Sequence, residues 1–184
     1  MKRIIVGISG ASGVIYGVRL LEALKTIDVE THLIMSEWSE KIVTLETDYE
    51  PSYIKGLAAV TYDNRNLAAA VSSGSFLTAG MVIAPCSMKT LAGIANGYAQ
   101  TLLERAADVT IKEGRKLVLM PRETPLSPIH LENMLKLARI GVVIAPPVPA
   151  FYIKPQGILD LVDQQVGKLL DQLGFQHGLS KRWE

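Results

Sequence analysis

The 184-residue sequence predicts an α/β protein on a mostly parallel, Rossmann-like sheet of about six strands. Three observations carry this. The apolar runs Ile4–Ile8 and Met81–Ala84 are continuous rather than alternating, as in strands buried on both faces. Amphipathic helical patterns separate the runs, so the strands lie parallel with helices covering both faces. Small or hydroxyl-bearing residues recur just past the run ends, where open parallel sheets bind ligands.

The first strand, Ile4–Ile8, runs into the turn Ser9-Gly10-Ala11-Ser12-Gly13 and then a helix over about 13–26. No bulky side chain stands in this turn, so a ligand can approach its backbone, and the helix N-terminus suits a phosphate. Ser9 and Ser12 add hydroxyl donors. The spacing Gly7-x-x-Gly10-x-x-Gly13 is neither the dinucleotide pattern nor a P-loop. Strand 2, Val29–Met35, ends in Ser36 with no acid set to hold a ribose. A single-phosphate ligand such as FMN therefore fits better than NAD. A turn that only packs helix 1 against the sheet explains this stretch equally well.

Ser36 caps a helix to about Glu46. Residues 48–55, with Pro51, read as loop, 58–62 as a short edge strand, 66–71 as a short helix and 72–75 as a turn. The Met81–Ala84 strand leads through Pro85-Cys86-Ser87-Met88-Lys89-Thr90 into a helix to about Ala95, broken by Gly97. A helix over Leu102–Lys112, a strand over Leu117–Met120 and a loop over 121–125 follow. Pro128 opens a helix to Arg139. Val142–Ala145 is the last strand, Pro146–Pro149 a turn and Gly157–Leu173 the last long helix. One domain spans 1–184, with no repeat or linker.

Composition narrows the function. Lys and Arg total 19 against 18 Asp and Glu, a net +1, and no basic run marks a nucleic-acid surface. The chain is 48% hydrophobic with mean hydropathy +0.23, yet no apolar run approaches the roughly 18 residues that span a bilayer. The excess apolar surface points to subunit contacts, including the terminal segment 157–184. The single cysteine, Cys86, forms no internal disulfide and fits a reducing cytoplasm. Lys2 and Arg3 precede an apolar run too short for a signal peptide.

The strand ends gather Ser9–Gly13, Ser36, Cys86–Thr90, Arg122 with Glu123, and Tyr152 beyond the proline turn. Small hydroxyls at three strand ends and a charged pair at a fourth make a ligand site the better reading. No nucleophile–base set accompanies them. Cys86 reads as a buried thiol, His32 as packing and His130 as a cap, and no two histidines have metal-ligand spacing. Anion chemistry then falls to Arg105, Lys112, Arg122 and Lys168. Arg122 stands out because it follows a buried strand and a guanidinium forks onto phosphate.

SGASGVIYG, APCSMKTLAGIANG, ERAADVTIKE, PRETPLSPIHLENM, PPVPAFY and the terminal RW resemble, in one order along nearly the whole chain, the UbiX-like flavin prenyltransferases. These were long labelled aromatic acid decarboxylases and belong to the homo-oligomeric flavin-containing cysteine decarboxylase superfamily. The resemblance implies a three-layer α/β/α sandwich and a dodecamer with active sites at subunit junctions. It implies reduced FMN as substrate, prenylated at N5 and C6 from dimethylallyl phosphate. The prenylated FMN would serve a separate UbiD-type decarboxylase.

Carried over by position, FMN contacts fall on Gly10, Ala11, Ser12, Gly13, Ser36, Ser87, Met88, Lys89, Thr90 and Arg122. The dimethylallyl phosphate positions are Tyr152 and Lys168, with Lys112, Arg105 and Glu123 around the leaving phosphate. Lys168 replaces the arginine of many members, a point charge in place of a fork. Glu46 matches an acid near the reacting flavin edge, with Ser12 beside it, and Trp183 an aromatic that closes the pocket. Ser12, Glu46 and Glu123 are the expected catalytic residues, and no metal is required. The alternatives are an FMN-dependent aromatic or phenylacrylic acid decarboxylase, its flavin-binding subunit, or a cysteine decarboxylase. The last would use a catalytic His after the first helix block, and no suitable His stands there.

Overall fold

Every strand runs parallel to its neighbours. The computed structural model describes residues 2–180 and 182. Within them β1 (Lys2–Ile8), α1 (Val14–Lys25), β2 (Val29–Met35), α2 (Glu37–Glu46), α3 (Pro51–Leu57) and β3 (Val60–Asp63) build one half. A 3-10 turn, Ala70–Ser72, leads to β4 (Gly80–Cys86), α4 (Met88–Ala95), α5 (Leu102–Lys112), β5 (Lys116–Pro121), α6 (Pro128–Arg139), β6 (Val143–Ile144) and α7 (Ile158–Leu173).

The sheet order is β3-β2-β1-β4-β5-β6, so the chain switches direction between β1 and β4. Residues at alternate positions feed two cores. Ile4, Val6, Ile8, Val82 and Met120 pack with α1 and α7 on one face. Ile5, Met81, Ile83 and Leu119 pack with α4, α5 and α6 on the other. Burial on both faces explains the unbroken apolar runs. Helices on both faces make this a three-layer sandwich.

Three element expectations need correction. Residues 51–57 form α3, because Pro51 takes the first helical position, where its missing N–H costs nothing, and Ile54 and Leu57 are buried one turn apart. The helix expected over 66–71 shrinks to the 3-10 turn: Asn66 Oδ1 accepts from the Ala68 N–H at 3.1 Å, the local bond that diverts Asn from helices. The edge strand starts at Val60, since Ala58 ends α3.

Candidate functional site

β1 and β4 pair side by side, and the chain leaves their carboxyl ends toward opposite faces of the sheet, the switch point where a doubly wound sheet leaves room for a ligand. The β1–α1 turn shapes one side. Gly13, at φ 95°, takes a left-handed conformation that favours glycine, and α1 starts there with no side-chain cap and no acid in its first turn. Close packing of α1 on the sheet belongs to Gly17 instead, where a Cβ would lie 2.5 Å from the Ala84 carbonyl oxygen. The left-handed turn and the close helix packing thus fall on different glycines.

Ser9 is not the ligand donor the sequence suggested. It is fully buried, donates from Oγ to the Pro85 carbonyl at 3.1 Å and accepts from the Ser87 N–H at 2.6 Å. Ser9 ties the ends of β1 and β4 together and sets the start of α4.

Beyond these ends lies an open cleft of about 770 Å³. Gly10, Ser36, Ser87, Lys89 and Thr90 line it. Ser36 caps α2, accepting from the Ser39 N–H at 3.1 Å. Ser87 caps α4, accepting from the Thr90 N–H at 3.2 Å and donating to Thr90 Oγ1 at 3.0 Å. Two helices therefore start at the cleft, their positive ends toward it. Ala11 is buried in the β1–α1 turn, and Met88, the first residue of α4, is half-buried.

The cleft also has walls that sequence reasoning missed: Trp38, Tyr62 and Glu104. Glu104 is buried, its Oε2 accepting from the Gln100 and Thr101 N–H groups at 3.0 and 3.1 Å. Thr101-x-x-Glu104 is a legible capping-box signal for that placement. Tyr62 is tied to buried His32, whose Nδ1 lies 2.9 Å from the Tyr62 hydroxyl and Nε2 3.0 Å from Glu30 Oε1. Burial pushes the His32 pKa below its ordinary value, with Glu30 opposing the shift.

At the other end of the turn, one peptide unit joins two charged residues. The Ser12 carbonyl accepts from Arg122 Nε at 3.3 Å, and the adjoining Gly13 N–H donates to Glu46 Oε2 at 2.8 Å. Because the carbonyl and N–H of a trans peptide point apart, Arg122 and Glu46 flank the exposed Ser12 from opposite sides. Glu123 is exposed, its Oε1 accepting from the Thr124 N–H at 3.0 Å.

The remaining expected residues lie elsewhere in the chain. Lys112 ends α5 beside Glu113, four residues before β5 begins. That is the start of the strands, roughly 20 Å along the sheet from their carboxyl ends. Arg105 pairs with Asp108 on α5 at 2.7 Å. Gln164 of α7 donates to the Tyr152 hydroxyl at 3.5 Å, and exposed Lys168 lies one turn further along α7. Within one chain, then, Lys112 lies at the opposite sheet end from Arg122, because α5 carries it there. Trp183 lies outside the described residues.

Cys86 is fully buried and its thiol pKa is pushed up by burial, so it stays a neutral packing group. His130 caps α6, Nδ1 accepting from the Ser127 N–H at 3.2 Å. No helix among the described residues is long and apolar enough to cross a membrane, and no three His, Cys, Asp or Glu among them group as metal ligands.

The Flavoprotein family model matches residues 1–171. The chain is 58% identical over 185 residues to the flavin prenyltransferase LpdB of Lactiplantibacillus plantarum, covering 100% of this chain and 99% of that one. It is similar to the crystal structure of AnUbiX (PadA1) in complex with FMN and dimethylallyl pyrophosphate, with TM-score 0.98, 52% identity and 100% and 97% coverage. A dodecameric FMN-dependent UbiX-like decarboxylase from Escherichia coli O157:H7 matches with TM-score 0.98, 53% identity and 99% coverage of both chains.

Proposed function

The chain belongs to the flavin prenyltransferases of the flavoprotein family, and we propose on that premise that it prenylates reduced FMN with dimethylallyl phosphate. The observation that carries the reading is the likeness, over the whole chain, to a protein crystallised with FMN and a dimethylallyl donor. The cleft at the β1–β4 switch supports it. Two serine-capped helix starts and an uncapped α1 present N–H and hydroxyl donors, which suit a flavin phosphate and ribityl chain.

Reduced FMN supplies nucleophilic N5 and C6. The donor's C–O bond breaks, dimethylallyl carbons bond to N5 and C6, and phosphate leaves. N5 and C6 each lose a proton, and one proton is returned to the dimethylallyl double bond. Gly10–Gly13, Ser36, Ser87–Thr90 and Arg122 hold the flavin. Glu46, fixed through Oε2 by the Gly13 N–H, keeps Oε1 to receive a proton at the flavin edge, with Ser12 beside it. Glu123 exchanges a proton with the departing phosphate.

Arg122, Lys112, Lys168, Arg105 and the Tyr152 hydroxyl meet the phosphate charge, which lowers the cost of breaking the allylic C–O bond without a metal. Because Lys112 sits at the far sheet end of its own chain, that set is completed by other copies, in a dodecamer like the E. coli relative. The C-terminal helix α7 contributes to those contacts. The product goes to a UbiD-type decarboxylase, and the enzyme works in the cytoplasm.

The test is to incubate the protein anaerobically with reduced FMN and dimethylallyl phosphate and weigh the flavin. The expected flavin carries one added five-carbon unit, with phosphate released in equal amount. Unmodified flavin refutes the proposal. Decarboxylation of a phenolic acid by the protein alone favours the decarboxylase reading.

A further inference from the structure

We propose that the Trp38 indole is a wall of the flavin site, packing on bound FMN and setting its affinity. This rests on the reading of the cleft as the FMN site.

Trp38 is the second residue of α2, two positions past the Ser36 cap, and its side chain lines the cleft. It is 66% exposed, unlike Met35 and Leu103, which are buried, and Tyr62, which is half-buried and tied to His32. An indole left this bare beside donor-rich walls offers a broad, flat apolar face to an aromatic ligand.

Its position is built rather than incidental. Gly10 lies directly against it: a Cβ at position 10 would come within 2.6 Å of Trp38 Cβ. The same close approach that brings the turn backbone to the cleft therefore seats the indole beside it. Lys41 Nζ lies 4.5 Å from the ring centroid and pairs with Glu37 Oε1 at 3.1 Å. The cation braces the indole from within α2 and leaves the rest of the ring to the cleft.

The hydroxyl and N–H donors of the cleft can meet the phosphate, the ribityl hydroxyls and the polar edge of an isoalloxazine, but they do not cover its flat faces. Stacking of a flat heteroaromatic on a side-chain ring does contribute, on the order of tenfold in affinity or more per ring removed. Trp38 is thus a flavin-contacting residue, and Lys41 positions it.

The experiment titrates flavin-free parent, Trp38→Ala and Trp38→Phe proteins with FMN, reading the visible absorbance of the flavin. Melting temperature without flavin and oligomer mass by light scattering are recorded for each. The expected result is a Kd for FMN about tenfold or more weaker in W38A, restored most of the way in W38F. Melting temperature and oligomer mass should match the parent. Equal affinity in W38A and parent overturns the proposal. A loss of affinity accompanied by a changed oligomer mass also overturns it, since the indole then serves a subunit contact. If the parent itself fails to bind FMN, the reading of the cleft falls, and this proposal with it.

Discussion

Replacing Ser9 with alanine removes one hydroxyl from the point where the ends of β1 and β4 are tied together. That hydroxyl donates to the Pro85 carbonyl at 3.1 Å and accepts from the Ser87 N–H at 2.6 Å. The Pro85 oxygen keeps a second donor, the Ser9 N–H at 3.2 Å. The Ser87 N–H loses its acceptor beside a fully buried residue. One lost hydrogen bond and one orphaned amide together cost about 2 kcal/mol. For a chain of this size that lowers the melting temperature by about 4–8 °C. Because Ser87 starts α4, FMN affinity should also fall several-fold. Ser39→Ala is the matched control: its buried Oγ donates to the Ser36 carbonyl at 2.7 Å, and that oxygen also accepts from the Glu40 N–H. No amide is orphaned there, so the loss should be smaller. Calorimetry and an FMN titration read both variants. If S9A melts no lower than S39A, Ser9 does not hold the strand ends together.

Glu46→Gln keeps an acceptor for the Gly13 N–H but cannot take a proton, so turnover should drop about 100-fold with FMN affinity little changed. Fully cyclised product at the parent rate would remove Glu46 from the chemistry. Lys168→Ala should raise the KM for dimethylallyl phosphate and leave FMN binding alone, and an unchanged KM would sink its assignment. His32 has a pKa lowered by burial, so the unfolded chain takes up more protons than the folded one. Stability should therefore fall as pH drops through about 6.5, the ordinary histidine value, and His32→Gln should flatten the melting-temperature profile there.

The strands and their order of burial were legible because both faces of the sheet are covered, which writes unbroken apolar runs such as Ile4–Ile8. The cap of α2 was legible because Ser36 stands where capping chemistry requires it. α3 was hidden because seven residues with two buried apolar side chains carry too little periodicity, and Pro51 reads alike as a turn or a first helical residue. Ser9 was misread because its role depends on Ser87, 78 residues away. Trp38 carried no motif at all, since an exposed aromatic on a helix gains meaning only from the cleft beside it. The Arg122–Ser12–Gly13–Glu46 bridge joins three separate segments through one peptide unit, which spacing along a chain cannot reveal.

A crystal structure of the assembled protein with FMN and dimethylallyl phosphate is the decisive measurement. FMN should lie across the carboxyl ends of β1 and β4, with Ser36 and Ser87 along it and its reacting edge toward Ser12 and Glu46. The dimethylallyl phosphate should be held by Arg122 of one chain and Lys112 of another. Flavin bound away from the switch point, or a phosphate held by one chain alone, would contradict the site described above.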